Sequence, residues 1–243
     1  MMTSKSWLLF ILTLLLLLAF IGGSFINYLI TKSAVHREIV KNDLPLTMDN
    51  IYSEISAELT RPILVASSMA SDTFLKDWVM DGEQDPEKVR KYLAEIQRQY
   101  GFFSAFFISS YTFNYYHFKG IHKQIRPDDS HDVWYYRFID SGKEYELDVD
   151  TDQAAENVLT VFINYRVVDE KGRLLGVTGV GLKMEHLARL VQTYQDRYGR
   201  HVYLTDRSGN IQVHEDSSLI ETKSIVDLPG MKEIAEELLA HTE

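Results

Sequence analysis

Between Asp132 and Arg137 the chain sets an acid, two large aromatic rings and a base in one short stretch, Asp132-Val133-Trp134-Tyr135-Tyr136-Arg137. Residues of these types recognise molecules rather than break bonds. Trp134 and Tyr135 offer flat apolar walls, while Asp132, Arg137 and the more distant Asn164 offer one anionic, one cationic and one amide contact. A few polar groups on an aromatic lining is how small-molecule sites are built. Asp150, at a strand end, is placed to face the same space, and Tyr116 and His117 on an earlier aromatic strand complete the candidate set. The competing reading makes Trp134 and Tyr135 a core plug on the sheet, with Asp132 and Arg137 paired to each other.

Three other patterns imitate chemistry. Asp148-Val149-Asp150-Thr151-Asp152 begins like a calcium loop, in which alternate carboxylates reach one hard cation, but Gln153 stands at the glycine position and Leu159 at that of the closing glutamate. His117, His122 and His131, near Asp128 and Asp129, have the ligand chemistry of zinc. A strand leading into a loop does not put His117 and His122 on one face, so hydrogen-bonded or surface histidines are expected, with a pH response near ~6.5. Gly176 to Lys183 resembles a phosphate loop, yet Leu182 separates Gly181 from Lys183 and Met184 takes the hydroxyl position. Those glycines are expected to allow close packing of strand against helix. With no Gly-x-Ser-x-Gly elbow and no His-Glu-x-x-His helix, no catalytic residue, metal or cofactor is expected.

The chain carries 25 Lys+Arg against 35 Asp+Glu, a net charge of −10, and no cysteine. General charge attraction to nucleic acid or anionic lipid is excluded, as are disulfides, thiol catalysis and thiolate metal sites.

The elements that must hold these residues begin with an apolar run from Trp7 to Ile30, followed by Lys32, His36 and Arg37. A bilayer core of ~30 Å needs about 20 such residues in a helix. A cleavable signal peptide is the competing reading, since Lys5 and Gly22-Gly23-Ser24 fit one, but the run continues past the expected cleavage site. Ile51, Ile55, Leu59 and Ile63 recur at i+4 and predict a long helix starting near Pro45, kinked at Pro62. Asp85-Pro86-Glu87 reads as an N-cap and first turn of a helix ending at Gly101. Strands follow at 102–109 and 113–118, then a polar loop from Lys119 to Lys143, then strands at 145–148, 158–168 and 174–181. A helix over 184–195, a hairpin over 198–205 and 211–214, and a helix over 231–240 complete the chain.

The order of elements resembles the double Cache extracellular sensor, through Asp132-Val133-Trp134-Tyr135, Asn164-Tyr165-Arg166, and Gly176-Val177-Thr178-Gly179-Val180-Gly181 before a helix. The fold expected is α+β: a transmembrane anchor over 1–31, a long signalling helix over 32–80, a membrane-distal PAS-like ligand-binding domain over 81–195, and an incomplete second PAS-like domain over 196–243. The resemblance implies a receptor of the bacterial inner membrane whose periplasmic module binds a small molecule. It further implies a second span and a cytoplasmic output absent from this stretch, most often a diguanylate cyclase, then a histidine kinase or chemoreceptor; a homodimer is expected because transmembrane switches commonly use paired helices and the i+4 stripe could serve that role. In the amino-acid-binding branch an arginine two positions before the Trp-Tyr pair holds the carboxylate, and an aspartate after the last long strand holds the amine. Here those positions are Asp132 and Gly181, so a plain α-amino acid is not expected. A membrane-tethered binder without output and an anchored Asp/His hydrolase are the alternatives from other classes.

Overall fold

The structure, a computed structural model, describes residues 4–214, 216–220 and 222–240. The chain divides into two compact units, 1–54 and 55–243.

In the first unit, helix α1 runs Ser4–Glu38 and passes through a π-helical turn at Ile39–Asp43, after which α2 (Leu44–Ser71) begins. The side chains along the described part of 10–30 are almost all exposed. By length and composition this is a helix apolar enough to cross a membrane, with a stretch of mean hydropathy 2.3. The expected start of the second helix near Pro45 agrees with α2.

In the second unit the rest of α2 turns Val65, Ala66, Met69 and Ala70 into a core. The signalling-helix stretch is not one helix: α2 stops at Ser71, and Asp72, whose carboxylate accepts the Phe74 N–H at 2.8 Å, caps a new helix α3 (Thr73–Met80). Helix α4 (Pro86–Tyr100) starts at the expected proline and ends at Gly101, which adopts φ +71°. Asp85 makes no capping bond, because its own φ of +56° turns the side chain away from the helix N–H groups.

Six strands form one antiparallel sheet in the order β3-β2-β1-β6-β5-β4. Their ranges are β1 Ser104–Ser109, β2 Asn114–His117, β3 Gly120–Gln124, β4 Tyr145–Asp152, β5 Val158–Val168 and β6 Leu174–Lys183. Because side chains alternate across a strand, each strand feeds two cores. Phe107, Tyr116, Ile163 and Tyr165 pack under α2, α3 and α4. Phe106, Tyr115, Phe162 and Val177 face the other way, where α5 (Val133–Ser141) covers them with Tyr135 and Phe138.

Three expectations are corrected here. The stretch 119–143 is not a loop: it contains β3 and α5. The strand expected over 145–148 extends to Asp152, paired with β5 along its whole length, so the calcium-like acids sit on a regular strand. The glycines of β6 serve strand and ring packing rather than a helix. A Cβ on Gly179 would lie 2.3 Å from the Ile163 carbonyl oxygen and 2.8 Å from the Phe106 ring.

Helix α6 (Met184–Tyr198) runs three residues beyond its expected end and absorbs the start of the following strand. The last hairpin is therefore short, β7 (Leu204–Thr205) with β8 (Ile211–Val213), around a turn in which the Asp206 carboxylate accepts the Ser208 and Asn210 N–H groups, each at 2.9 Å. Ile211, Ile225 and Ala235, the last from α7 (Lys232–Ala240), form a small core of their own.

Candidate functional site

The face of the sheet under α5 carries a row of acids. Glu146, Asp148, Asp150 and Asp152 alternate along β4 and so share one side, opposite Asn164, Phe162, Thr160 and Val158 of β5. A cavity of about 30 Å³ lies between this row, the Asn164 and Phe162 side chains, and Trp134 in the first turn of α5. That is room for about two water molecules.

Asp132 closes one end. It is 2% exposed, and its carboxylate accepts the Arg126 N–H at 2.8 Å and meets Lys123 Nζ at 2.6 Å. Lys123 also reaches Asp129 at 3.2 Å and the Gln153 side-chain oxygen at 3.1 Å. One ammonium thus ties β3, the turn before α5 and the end of β4 together.

Two residues of the lining carry a buried polar atom that the fold leaves unsatisfied. Asn164 and Asp152 are each 1% exposed, and Asn164 Oδ1 and Asp152 Oδ2 accept no hydrogen bond among the described residues. Asp152 Oδ1 accepts the Ala154 N–H at 3.0 Å. Burial raises the pKa of Asp152 above the ordinary carboxylate value, although the Ser104 hydroxyl and the Ala154 and Ala155 N–H groups oppose it. Asp148 is raised for the same reason, against the pull of Arg137. Tyr115, across the cavity, is held well above the usual phenol range by burial and by the charges of Asp152, Asp150 and Asp132.

Of the eight residues singled out from sequence, Asp132, Trp134, Asp150 and Asn164 line this cavity. The other four lie elsewhere. Tyr135 is 0% exposed beneath α5, as the core-plug reading has it. Arg137 does not pair with Asp132; its partly exposed side chain reaches β4 instead, 2.8 Å from Asp148 and 3.7 Å from Glu146. Tyr116 points to the opposite core, where its hydroxyl donates to the buried Glu83 carboxylate at 2.6 Å, and burial followed by that bond pushes its pKa up to about 12. His117 is buried 3.1 Å from Ser104 Oγ, and burial lowers its pKa to about 3.

The histidines do not converge. His122 stacks edge-on against Tyr115 at 5.5 Å, while His131 lies at the cavity rim. Residues absent from the sequence reading are Lys123, Tyr115 and Phe162. The period-2 pattern offered a signal for Tyr115, which shares a face with His117, not with Tyr116.

A larger open cleft, about 660 Å³, is lined by Arg61, Lys119, Lys183 and Arg189. Three of its cations are occupied with rings, Arg61 with Tyr100, Lys119 with Phe118 and Lys183 with Phe103. No buried, unsatisfied side-chain atom among the described residues belongs to that lining. The small cavity is therefore the better candidate.

No family model matches the chain. Solved structures do, at the level of the fold. The ligand-binding domain of the Pseudomonas aeruginosa PAO1 amino acid chemoreceptor PctB, in complex with L-Arg, is 20% identical, with 79% of this chain and 77% of that one covered and a TM-score of 0.61. The corresponding domain of PctC from the same organism, in complex with GABA, is 16% identical over 77% of this chain and 81% of that one, TM-score 0.59. The extracellular domain of mmHK1S-Z2, described as a histidine kinase, is 14% identical over 77% and 78%, TM-score 0.57. The second unit thus has the fold of Cache/PAS-like extracellular sensor domains, and it follows an N-terminal helix apolar enough to cross a membrane.

Proposed function

We propose that this chain is the extracytoplasmic small-molecule sensing module of a receptor in the bacterial inner membrane, with the ligand seated between β4, β5 and the first turn of α5. The observation that carries the reading is the cavity itself, walled by the Trp134, Tyr115 and Phe162 rings and by Asp132, Asp150 and Asn164, on the face of the sheet that α5 covers.

Ligand binding would alter how α5 and the turn before it pack on the sheet, and α2 would carry that change toward the membrane. A ligand biases such a switch only by its differential affinity for the two states. The module would act as a homodimer through paired helices. Its output would be a diguanylate cyclase, with a histidine kinase or a chemoreceptor fitting about equally, because the similar structures are chemoreceptor and kinase sensor domains.

The test is thermal melting of the full chain in detergent against a panel of small metabolites. A ligand at 100 times its Kd stabilises by about 2.7 kcal/mol, a shift of roughly 5–10 °C for a domain of this size. The shift should vanish in Asn164→Leu. A panel of several hundred compounds without one such shift would leave the tethered-binder or structural readings in its place.

A further inference from the structure

A second polar network, on the other face of the sheet, centres on Glu83 in the connection between α3 and α4. Its carboxylate is 7% exposed and accepts three hydroxyl protons from the β1–β2 hairpin: one from Ser109, one from Thr112 at 2.7 Å and one from Tyr116 at 2.6 Å. No lysine or arginine pairs with it among the described residues. Each hydroxyl in turn accepts an N–H. Ser109 Oγ takes the Tyr111 and Thr112 amides at 3.0 and 3.2 Å, Thr112 Oγ1 takes the Asn114 amide at 3.3 Å, and the Tyr116 hydroxyl takes the Asn114 side-chain N–H at 3.2 Å. Every hydroxyl proton of the network thus goes to Glu83, and bonds linked in this way reinforce one another.

The backbone at Glu83 is fixed from the helix side. Gly82, Glu83 and Asp85 have φ of +84°, +58° and +56°, a region that residues other than glycine adopt rarely. The Glu83 N–H donates to the Trp78 carbonyl at 2.9 Å, and the Trp78 ring N–H donates to the Gln84 carbonyl at 2.5 Å. The Trp78 ring also meets the Tyr116 ring edge-on, with centroids 5.1 Å apart. Left-handed residues of this kind persist where their surroundings over-determine them, and they gather at switch regions. Glu83 therefore ties the end of α3, through its main chain, to the hairpin, through its side chain.

The strand that Glu83 grips also faces the cavity. Side chains alternate across a strand, so Tyr115 stands in the cavity lining while Tyr116 stands on Glu83. The pairing of β2 with β3 shifts register between these two residues, which disrupts the ladder locally. A shift of β2 that moves Tyr115 also moves the Tyr116 hydroxyl.

We infer, resting on the reading of the cavity as the ligand site, that Glu83 is a positioning residue coupling that cavity to the helices on the opposite face of the sheet: displacement of Tyr115 draws the Tyr116 hydroxyl against Glu83, and Glu83 passes the movement to the α3–α4 connection. The alternative is a clamp that only holds the hairpin in place.

Fluorine NMR of the full chain in detergent, labelled with 5-fluorotryptophan, reads both faces at once, because Trp134 lines the cavity and Trp78 packs on Tyr116. Trp7→Phe and Trp134→Phe assign the three resonances. Glu83→Gln keeps the shape but turns an amide N–H toward a hydroxyl proton, and Tyr116→Phe removes a single hydroxyl. Each should move the Trp134 resonance by more than its linewidth, although neither residue lines the cavity. Tyr115→Leu should move Trp78, because coupling is reciprocal, and that movement should be at least halved when Glu83→Gln is added. Val89→Ala, a truncation in the core that Trp78 and Tyr116 share, should leave Trp134 in place.

If Trp134 stays in place in both Glu83→Gln and Tyr116→Phe, Glu83 only clamps the hairpin and the inference is overturned. If Val89→Ala moves Trp134 as far as they do, the core loosens as a whole and the inference is likewise overturned. Should Glu83→Gln not fold, Tyr116→Phe decides between the same two results. No ligand enters this experiment, so its failure is separate from that of the site reading, which the melting panel tests. Coupling found alongside a silent panel would keep Glu83 as the link between the two faces and strike the cavity as the ligand site.

Discussion

Asp132 and Lys123 face each other at 2.6 Å, the acid 2% exposed and the base still in touch with solvent. Breaking a buried pair from one side costs about 3–5 kcal/mol, because a buried charge is left alone. Partial exposure of Lys123 trims this, so Lys123→Met should destabilise by roughly 2–3 kcal/mol in urea denaturation. Lys123→Met combined with Asp132→Leu should recover part of the loss. A single variant within about 0.5 kcal/mol of the parent would show that the pair does not organise the turn before α5.

Trp134 and Tyr135 are neighbours with different tasks. Tyr135 is wholly buried and its hydroxyl has no partner among the described residues. Tyr135→Ala should cost about 3–5 kcal/mol as a core cavity, whereas Tyr135→Phe should be neutral or stabilising by up to about 1 kcal/mol, since it removes an unpaired polar atom. Trp134→Ala should leave a folded domain and abolish ligand-induced stabilisation. Loss of folding in Trp134→Ala would return that residue to the core.

Asp152 sets an unusual acid response. Its pKa is raised on folding, so its charge opposes the folded state: the cost is absent below the ordinary value of 3.8 and grows as pH climbs through the raised one. Facing it are Asp150 and Asp148 on its own strand, Lys123 and His122 from β3, Tyr115 from β2, Ser104 from β1, and Asp132 and His131 from the turn before α5. Asp152→Asn keeps the acceptor for Ala154 and should stabilise the domain at pH 7, with the gain shrinking as pH falls toward 3.8. A gain that is flat with pH would assign it to hydrogen bonding and not to charge.

His117 shows the opposite slope. Its pKa falls from 6.5 to about 3 on folding, through burial first and then Lys119 and His122. A base depressed in the folded state loses stability as pH drops below its unfolded value, here from about 6.5 down toward 3. Nitrogen-detected NMR of the ring should show neutral imidazole at pH 5, and His117→Gln should remove that share of the acid sensitivity. A His117 that titrates near 6.5 would contradict the buried contact with Ser104.

The long strands were legible because β5 is rich in β-branched residues and is joined to β6 by a turn signalled by Asp169 to Gly172. The fourth helix was legible from its proline and its Val89, Leu93 spacing. What escaped was decided by tertiary packing. Helix α5 is built from Trp134, Tyr135, Tyr136, Phe138 and Ile139, modest helix formers that hold their shape by covering Phe106 and Phe162. Strand β3 reads as loop because it is an edge strand, whose Lys123 and Gln124 keep it polar. Half of the candidate site was visible as an aromatic and acidic segment. Lys123 was not, since nothing in Gly120 to Gln124 announces that its ammonium joins three distant segments.

The smallness of the cavity has a quantitative consequence. At about 30 Å³ it admits a head group but no molecule of drug size, so any larger ligand must bind a form in which the roof has lifted. The apparent dissociation constant is then the intrinsic one divided by the fraction of molecules already open. Sensitivity to a signal becomes a property of the latch as much as of the binding groups. In the proposed reading, substitutions at Asp129, which lies outside the cavity lining, would retune the detection threshold by shifting how often the door stands ajar.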